Sequence, residues 1–359
     1  MRVAQIIDSL EAGGAERIAV AYANALVQKV AFSGLVVTRK QGPLQNKIAA
    51  AVPYLFLKKK HSLDFRAVLQ LRRFVIQNKI EIIHAHGTSF FIAFLLKIVC
   101  PKVKIFWHEH YGARAKESRG SNVMLIFCSF FFSKAFVVSH QLQQWVKNTL
   151  YVKAVFYIPN FADLDSNFPA LTTLKGEKGK RIVCIANLKH PKNHLAILEA
   201  VRKLQLNEMG WSVHFIGKDY CDDYSYQLKA FIKRNSLESS AFIYGAKNDI
   251  SYILSQGSIG LLASLEEGFP VTLLEYGLAK LPVVSTNVGA CGTLIKEGWS
   301  GLLFDPKQQT QLESQLLNMV MMPLQREEFS LHLQELVHHK YAKEAIIEEL
   351  LKCYNSNFK

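Results

Sequence analysis

Two glutamates, a lysine and two pairs of histidines are the residues whose types and spacing could do chemistry here. Glu267 and Glu275 are separated by seven residues within 258–293, SIGLLASLEEGFPVTLLEYGLAKLPVVSTNVGACGT. Residues 259–265 are a short apolar run of the kind that forms a buried strand. Glu266, Glu267 and Gly268 break it. Pro270 suits the first turn of a helix, where its missing N–H costs nothing, and 271–280 continues with Gly277 as its one breaker. Residues 281–285 read as a second strand. Gly289, Ala290, Cys291 and Gly292 then make a small-residue turn. This order of strand, acidic elbow, helix, strand and glycine turn brings backbone N–H groups beside two carboxylates. Helix starts attract phosphate. Carboxylates repel it, so Glu267 and Glu275 suit hydroxyl groups. Phosphate and hydroxyls held together point to a nucleotide-linked sugar.

The elements that position these groups alternate. Residues 2–7 form a strand, 8–14 a loop and 15–28 a helix by apolar spacing. Further strands are expected at 34–38, 80–84 and 104–107. The last two run into His84-Ala85-His86-Gly87 and His108-Glu109-His110-Tyr111-Gly112. Strands at 135–139 and 155–158 complete the half. Residues 166–180 are polar and rich in breakers, as a linker would be. A second half opens with a strand at 181–185, followed by Asn187, Lys189 and Lys192. Strands at 213–217 and 241–245 follow, and 341–354 is a final helix. Such alternation implies parallel sheets with ligands at the carboxyl ends of strands. The expected division is 1–165, a linker at 166–180, 181–340, and a terminal segment at 341–359.

Glu267-x7-Glu275, with Gly268-Phe269-Pro270 between the acids and PVVSTNVGA after them, resembles the E-x7-E signature of glycosyltransferase family 4. The resemblance implies an α/β chain of the GT-B fold, two Rossmann-like domains with parallel sheets facing across a cleft. The final helix often crosses back to the first domain in that fold. Gly13-Gly14-Ala15-Glu16 is similar to a glycine loop at the cleft, where Gly14 would let the backbone approach the donor. Lys192 matches a lysine that grips the donor diphosphate beside an arginine. Asn187 stands at the arginine position, without its charge or its bidentate fork. By the same resemblance Glu275 would hold the ribose and Glu267 the sugar. Gly268, Phe269, Pro270 and Gly289 would line the donor. His108, with His86 and His110 as neighbours, would touch the sugar from the first domain. The implied reaction is retaining transfer from a nucleotide-sugar to an acceptor hydroxyl, with no cofactor and no metal. A sugar-nucleotide epimerase of the same fold, or a non-catalytic partner subunit, are the alternatives.

A metal reading of the histidines lacks the ligand spacing of H-E-x-x-H. Asp163-Leu164-Asp165 mimics a D-x-D but follows a turn, and reads as capping. The 359 residues suffice for two domains. Six scattered cysteines without C-x-x-C fit a reducing cytoplasm. No cleavable signal peptide is expected from MRVAQIIDSL, which carries Asp8 early. No apolar run is long enough to span a bilayer. The net charge of +14 is lopsided: residues 1–165 hold 22 Lys and Arg against 9 Asp and Glu, a net +13. One half therefore faces something anionic, or the charge serves solubility. With the Phe-rich stretch 123–132 nearby, the expectation is an anionic membrane surface presenting a lipid-linked or saccharide acceptor. No nucleic-acid motif accompanies the charge. Stretch 123–132 itself reads first as a core helix, with interfacial insertion as the alternative.

Overall fold

The computed structural model describes residues 1–11, 13–164 and 170–356. It divides into two compact units, Met1–Asn160 with Glu344–Lys359, and Phe161–Lys343.

The first unit is built on a parallel sheet of seven strands. These are β1 (Arg2–Ser9), β2 (Phe32–Lys40), β3 (Tyr54–Phe56), β4 (Ile82–His86), β5 (Lys104–Glu109), β6 (Phe132–Val137) and β7 (Val155–Tyr157). Their order is β3-β2-β1-β4-β5-β6-β7. The strands read as apolar runs because helices cover such sheets and bury both faces. Val3, Ala4, Ile6, Leu35, Val36 and Ile83 are all wholly buried. Helices start where a side chain can satisfy the first free N–H groups. Asp64 caps Phe65–Gln77 through Ala67 N, and Ser139 caps His140–Thr149 through Leu142 N. The strand order reverses between β1 and β4, the switch point at which open α/β sheets bind ligands.

The C-terminal helix Lys343–Asn355 belongs largely to this unit. Its end is held by Lys134, which rises from β6 inside the protein. The Lys134 ammonium donates to the carbonyls of Cys353, Tyr354 (3.2 Å) and Ser356 (2.7 Å) and to Ser356 Oγ (3.0 Å). A cation on the last carbonyls of a helix offsets the negative end of its dipole. Burial pushes the Lys134 pKa down.

The second unit carries β8 (Arg181–Ile185), β9 (Ser212–Ile216), β10 (Ala241–Gly245), β11 (Ile259–Leu262), β12 (Val283–Thr286) and β13 (Leu302–Phe304). The parallel order is β10-β9-β8-β11-β12-β13, with the reversal between β8 and β11. Its core gathers Ile182, Cys184, Ile197, Val213, Phe215 and Ile259. The stretch expected as a linker lies partly outside the described residues, and so does Asp165. From Leu171 onward the chain is bonded into the second unit. The Asp249 carboxylate accepts from Leu171 N (3.1 Å), Thr172 N (2.6 Å) and Thr172 Oγ1 (3.0 Å), and Gln256 Oε1 accepts from Leu174 N (2.9 Å). A polar, breaker-rich sequence thus runs as a docked strap, because a buried aspartate supplies the acceptors.

The stretch 123–132 differs from its first reading as a core helix. The helix is only Val123–Ser129, and Val123, Met124, Phe127, Phe130 and Phe131 are exposed. Within the helix Leu125 and Cys128 are the buried apolar groups, and Phe132 after it is buried in β6. Apolar content, which suggested a core, does not say which face turns inward.

Candidate active site

In the second unit the elbow follows β11. Pro270 stands at the N-cap of the helix Val271–Leu278 in extended conformation, one position earlier than a first-turn proline. Leu265 N donates to Pro191 O at 2.8 Å, which fastens the elbow to the loop after β8. That brace brings two expected site residues together. Lys192 Nζ lies 2.5 Å from Glu267 Oε1, and both are half-buried or nearly so. The sequence assigned them separate partners. The structure makes them an ion pair at the carboxyl end of β11, a charge-assisted bond of the strong kind.

Gly289 sits at φ +55°, and a Cβ there would lie 2.0 Å from the carbonyl oxygen of Glu267. Ala290 N donates to Gly268 O at 3.0 Å. The glycine turn is therefore pressed onto the acidic elbow, which only a residue without a side chain permits. Gly268, Phe269 and Pro270 are buried, and the Phe269 ring meets Tyr341 at 5.3 Å. Glu275 is buried on the helix that follows. Asn187 spends its Oδ1 as an acceptor for Lys218 N at 2.9 Å. It braces the β8 loop against the one after β9, so the arginine position of the family is filled by a loop-fixing amide.

Tyr276 is a residue the sequence reading passed over. Its hydroxyl accepts from Ile185 N (3.0 Å) and lies within donating reach of Val183 O (3.0 Å) and Leu261 O (3.2 Å). It stitches β8 to β11 across the switch point, and Thr272 Oγ1 adds a bond to Ile185 O at 3.3 Å. Gly260 makes room for it, since a Cβ at Gly260 would stand 2.6 Å from the Tyr276 ring. The signal was present as a glycine inside an otherwise apolar strand, which marks a close approach. Burial raises the Tyr276 pKa well above the phenol range, so it stays a neutral hydroxyl.

In the first unit, Gly14 opens the helix Gly14–Leu26, and a Cβ there would meet nothing within 4 Å. Asp8, at the end of β1, accepts from Thr38, Thr88 (2.6 Å) and Ser89 (3.3 Å) and pairs with Arg39 at 3.7 Å. The four histidines of the two H-x-H pairs form an array. Residues i and i+2 of a strand share a face, and β4 pairs with β5 so that His86 lies opposite His108. His84 and His108 meet Nε2 to Nδ1 at 3.1 Å, and His86 and His110 meet Nδ1 to Nε2 at 2.9 Å. Tyr354 OH bonds His84 Nδ1, and Gln5 Oε1 bonds His86 Nε2 at 2.9 Å. Tyr22 covers the rings of His84, His86 and His108.

His108, expected at the sugar, is wholly buried, and its Nε2 has no hydrogen-bond partner among the described residues. An unmet buried donor or acceptor costs about 1–3 kcal/mol. Burial pushes the imidazoles of His84, His86 and His108 well below their ordinary value. It takes His110 to about 3, against a hydrogen bond with Asn160 that raises it. All four are neutral near pH 7. His84, His86 and His108 offer nitrogens within 4.8 Å of one another, the separation of a metal's ligands. The rings lie nearly parallel and, His108 Nε2 apart, their nitrogens are bonded to each other or to His110, Gln5 and Tyr354. Lone pairs directed into separate ring planes do not converge on one ion. Nearby, buried Glu109 accepts from His110 N and Tyr111 N, each at 2.9 Å, and from Arg114. That takes Arg114 out of the free basic surface.

Residues 12–166 match the family described as Glycosyltransferase Family 4, and 172–335 match the one described as Glycosyl transferases group 1. The UDP-Gal:alpha-D-GlcNAc-diphosphoundecaprenol alpha-1,3-galactosyltransferase of Escherichia coli is 24% identical over 298 residues, 75% of each chain. The N-acetyl-alpha-D-glucosaminyl L-malate synthase of Bacillus anthracis is 23% identical over 229 residues, 60% of this chain and 58% of that one. Among solved structures, HepE of Anabaena in complex with UDP-glucose superposes with a TM-score of 0.85 at 15% identity, over 99% of this chain and 100% of that one. The sucrose-phosphate synthase of Thermosynechococcus elongatus gives 0.82 at 14% identity, over 98% of each. At those identities the structural likeness speaks for the fold. With a glycosyltransferase family matched to each unit, the chain is a family 4-like glycosyltransferase with the GT-B fold.

Proposed function

We propose that this enzyme moves a sugar from a nucleotide-sugar to an acceptor hydroxyl, with retention of configuration, in assembling a cell-surface polysaccharide or lipid-linked glycan. The observation that carries the reading is the Lys192–Glu267 pair at 2.5 Å on the elbow that Gly289 closes. A donor diphosphate competes with Glu267 for the Lys192 ammonium. Its arrival releases the carboxylate to sugar hydroxyls, while Glu275 takes the ribose. Lys192 and the amides around Gly289 then stabilise the departing diphosphate, as fixed donors do for developing charge. The family resemblance assigns the sugar to His108, whose ring is wholly buried, so this contact requires the ring to be uncovered. Retention rests on the family resemblance. The E. coli relative names UDP-Gal and a diphosphoundecaprenol acceptor, and HepE was solved with UDP-glucose. Both support a UDP-sugar donor here, and the first a lipid-diphosphate acceptor. Incubation with radiolabelled UDP-sugars and such acceptors should yield labelled glycolipid. Conversion of the donor without an acceptor, or no turnover with any donor, would overturn the reading.

No metal takes part in this scheme. Asp163, half of the D-x-D, is paired with Lys343. Chelation by EDTA should leave transfer intact, and activity lost in EDTA but restored by Mn²⁺ would contradict it.

The enzyme works on the inner face of the cytoplasmic membrane. Helices Phe65–Gln77, Phe90–Val99 and Val123–Ser129 pack in a row. They expose Phe65, Leu69, Ile98, Met124 and Phe127 beside Arg66, Arg72 and Arg73. Among the described residues no helix is long and apolar enough to cross a membrane. Apolar groups rimmed by cations suit the interface, where each basic residue contributes about 1 kcal/mol near anionic lipid. Lys58 and Lys60 are exposed, whereas Lys59 is buried and its pKa is lowered by that burial. Liposome flotation should show salt-sensitive binding to anionic vesicles that weakens with Lys58, Lys60, Arg72 and Arg73 changed to Glu. Equal recovery with neutral vesicles would rule electrostatic docking out.

A further inference from the structure

The four histidines form two hydrogen-bonded rows that run side by side. One is Tyr354–His84–His108, the other Gln5–His86–His110. They are joined at one end, where Gln5 Nε2 donates to Tyr354 OH at 3.4 Å. A neutral imidazole carries one proton, so one nitrogen donates and the other accepts. Fixing the proton at one end of a row therefore fixes it at every ring along the row.

Both ends are fixed by the same pair. The Tyr354 oxygen already accepts from the Gln5 amide. A phenol is a stronger acid than a neutral imidazole N–H, so in the Tyr354–His84 bond the proton stays on oxygen. His84 Nδ1 accepts it, His84 Nε2–H donates to His108 Nδ1, and the proton of His108 is left on Nε2. In the second row the Gln5 carbonyl accepts from His86 Nε2–H, which leaves His86 Nδ1 as the acceptor facing His110, a ring that Asn160 also bonds. Reversing either row would require Tyr354 or Gln5 to exchange donor and acceptor roles.

We infer that Gln5 and Tyr354 are positioning residues that set the tautomer of His108, so that this ring presents an N–H donor at Nε2 and no lone pair. Gln5 comes from β1 and Tyr354 from the C-terminal helix, near opposite ends of the chain. His108 can then give a hydrogen bond to an acceptor oxygen of a ligand, but cannot take a proton from it. A role as general base is excluded. What the tautomer does for transfer rests on the proposed contact between His108 and the donor. The tautomer itself rests on Gln5 and Tyr354 alone.

Long-range ¹H–¹⁵N spectra of the full chain, labelled at histidine, read the proton position on each ring without substrate. His84, His86 and His108 should appear as single Nε2–H tautomers that do not titrate between pH 8 and 6. Tyr354→Phe should turn His84 and His108 into tautomer mixtures and leave His86 and His110 unchanged. Gln5→Met should do the opposite, releasing His86 while Tyr354 keeps the other row. A packing role alone would move neither set. His108 protonated at Nδ1 in the wild type would overturn the inference, and this result needs no variant to fold. So would a Tyr354→Phe chain that folds with His108 unaltered. A wild-type chain with the expected tautomers that transfers no sugar leaves this inference standing and sinks the proposed function instead.

Discussion

At the carboxyl ends of β4 and β5, beside the first switch point, the first unit lines its sheet with four neutral histidines. At the second switch point, beyond β8 and β11, the other unit sets Lys192 against Glu267 and presses a glycine turn onto them. The topology is the same in both, strand order reversing beside the first strand. Under the proposed function the chemistry differs because the two units would meet different demands. A diphosphate calls for charge and for backbone that can approach closely. A sugar calls for neutral donors and acceptors with fixed direction. The ties differ too. Tyr276 joins neighbouring strands of its own unit, whereas Tyr354 brings the far end of the chain to His84.

Acid should separate the two units most strongly. The histidines of the first array have folded pKa values below the ordinary 6.5 because of burial. In the second unit His194 and His214 are lowered to about 4, again chiefly by burial. Below 6.5 the unfolded chain binds protons that the folded chain does not. Stability is therefore complete above that value and falls as pH drops through it. At pH 5 the linkage amounts to about 2 kcal/mol for each of His194 and His214, whose folded values are about 4. With four such histidines in the first array against two in the second, the first unit should lose more stability to acid. Hydrogen exchange, corrected for intrinsic rate, should show β4 and β5 losing protection between pH 7 and 5 before β8 and β9 do. Equal losses would mean that the array takes up protons while folded.

The second site was the more legible in sequence. Glu267, Gly268, Glu275 and Gly289 are close in the chain, so spacing alone drew the elbow. The histidine pairs were visible as pairs, but their array needs two adjacent strands in register, which a linear reading does not supply. Gln5 was one polar residue in an apolar strand, and Tyr354 lies 270 positions from His84. Nothing local connects them. The Lys192–Glu267 pair was missed for a related reason: each residue had a plausible ligand, and their mutual distance depends on the bond from Leu265 to Pro191. The exposed face of Val123–Ser129 was misjudged because a short helix has too few turns for its apolar spacing to pick a side.

A substitution at Glu275 sharpens the contrast within the charged site. Two hydrogen bonds from ribose hydroxyls to a carboxylate are worth roughly 1.5–3 kcal/mol each. Glu275→Ala should weaken UDP binding by more than about a hundredfold by calorimetry. Binding within twofold of wild type would remove Glu275 from the nucleotide.

The Tyr276 stitch should matter to stability by a smaller amount. Tyr276→Phe keeps the ring against Gly260 and removes only the hydroxyl. Ile185 N–H then loses the acceptor that Tyr276 provides. The expected loss is about 1–3 kcal/mol in denaturant unfolding, confined to the second unit. A variant as stable as wild type would show that the strands, and not the tyrosine, hold the switch point closed.

The smallest effect is expected at Asn187, where the second site departs from the family. Asn187→Arg restores the charge and the fork that suit a phosphate. It also removes the acceptor for Lys218 N, so the loop after β8 loses a brace. The two changes oppose each other. A partly exposed cation near a diphosphate gains about 1 kcal/mol or less after screening. UDP affinity should therefore rise by no more than about tenfold, and the gain should shrink with salt. A salt-independent loss of affinity would mean that the loop brace outweighs the charge, and that Asn187 holds the β8 loop in the shape that presents Lys192.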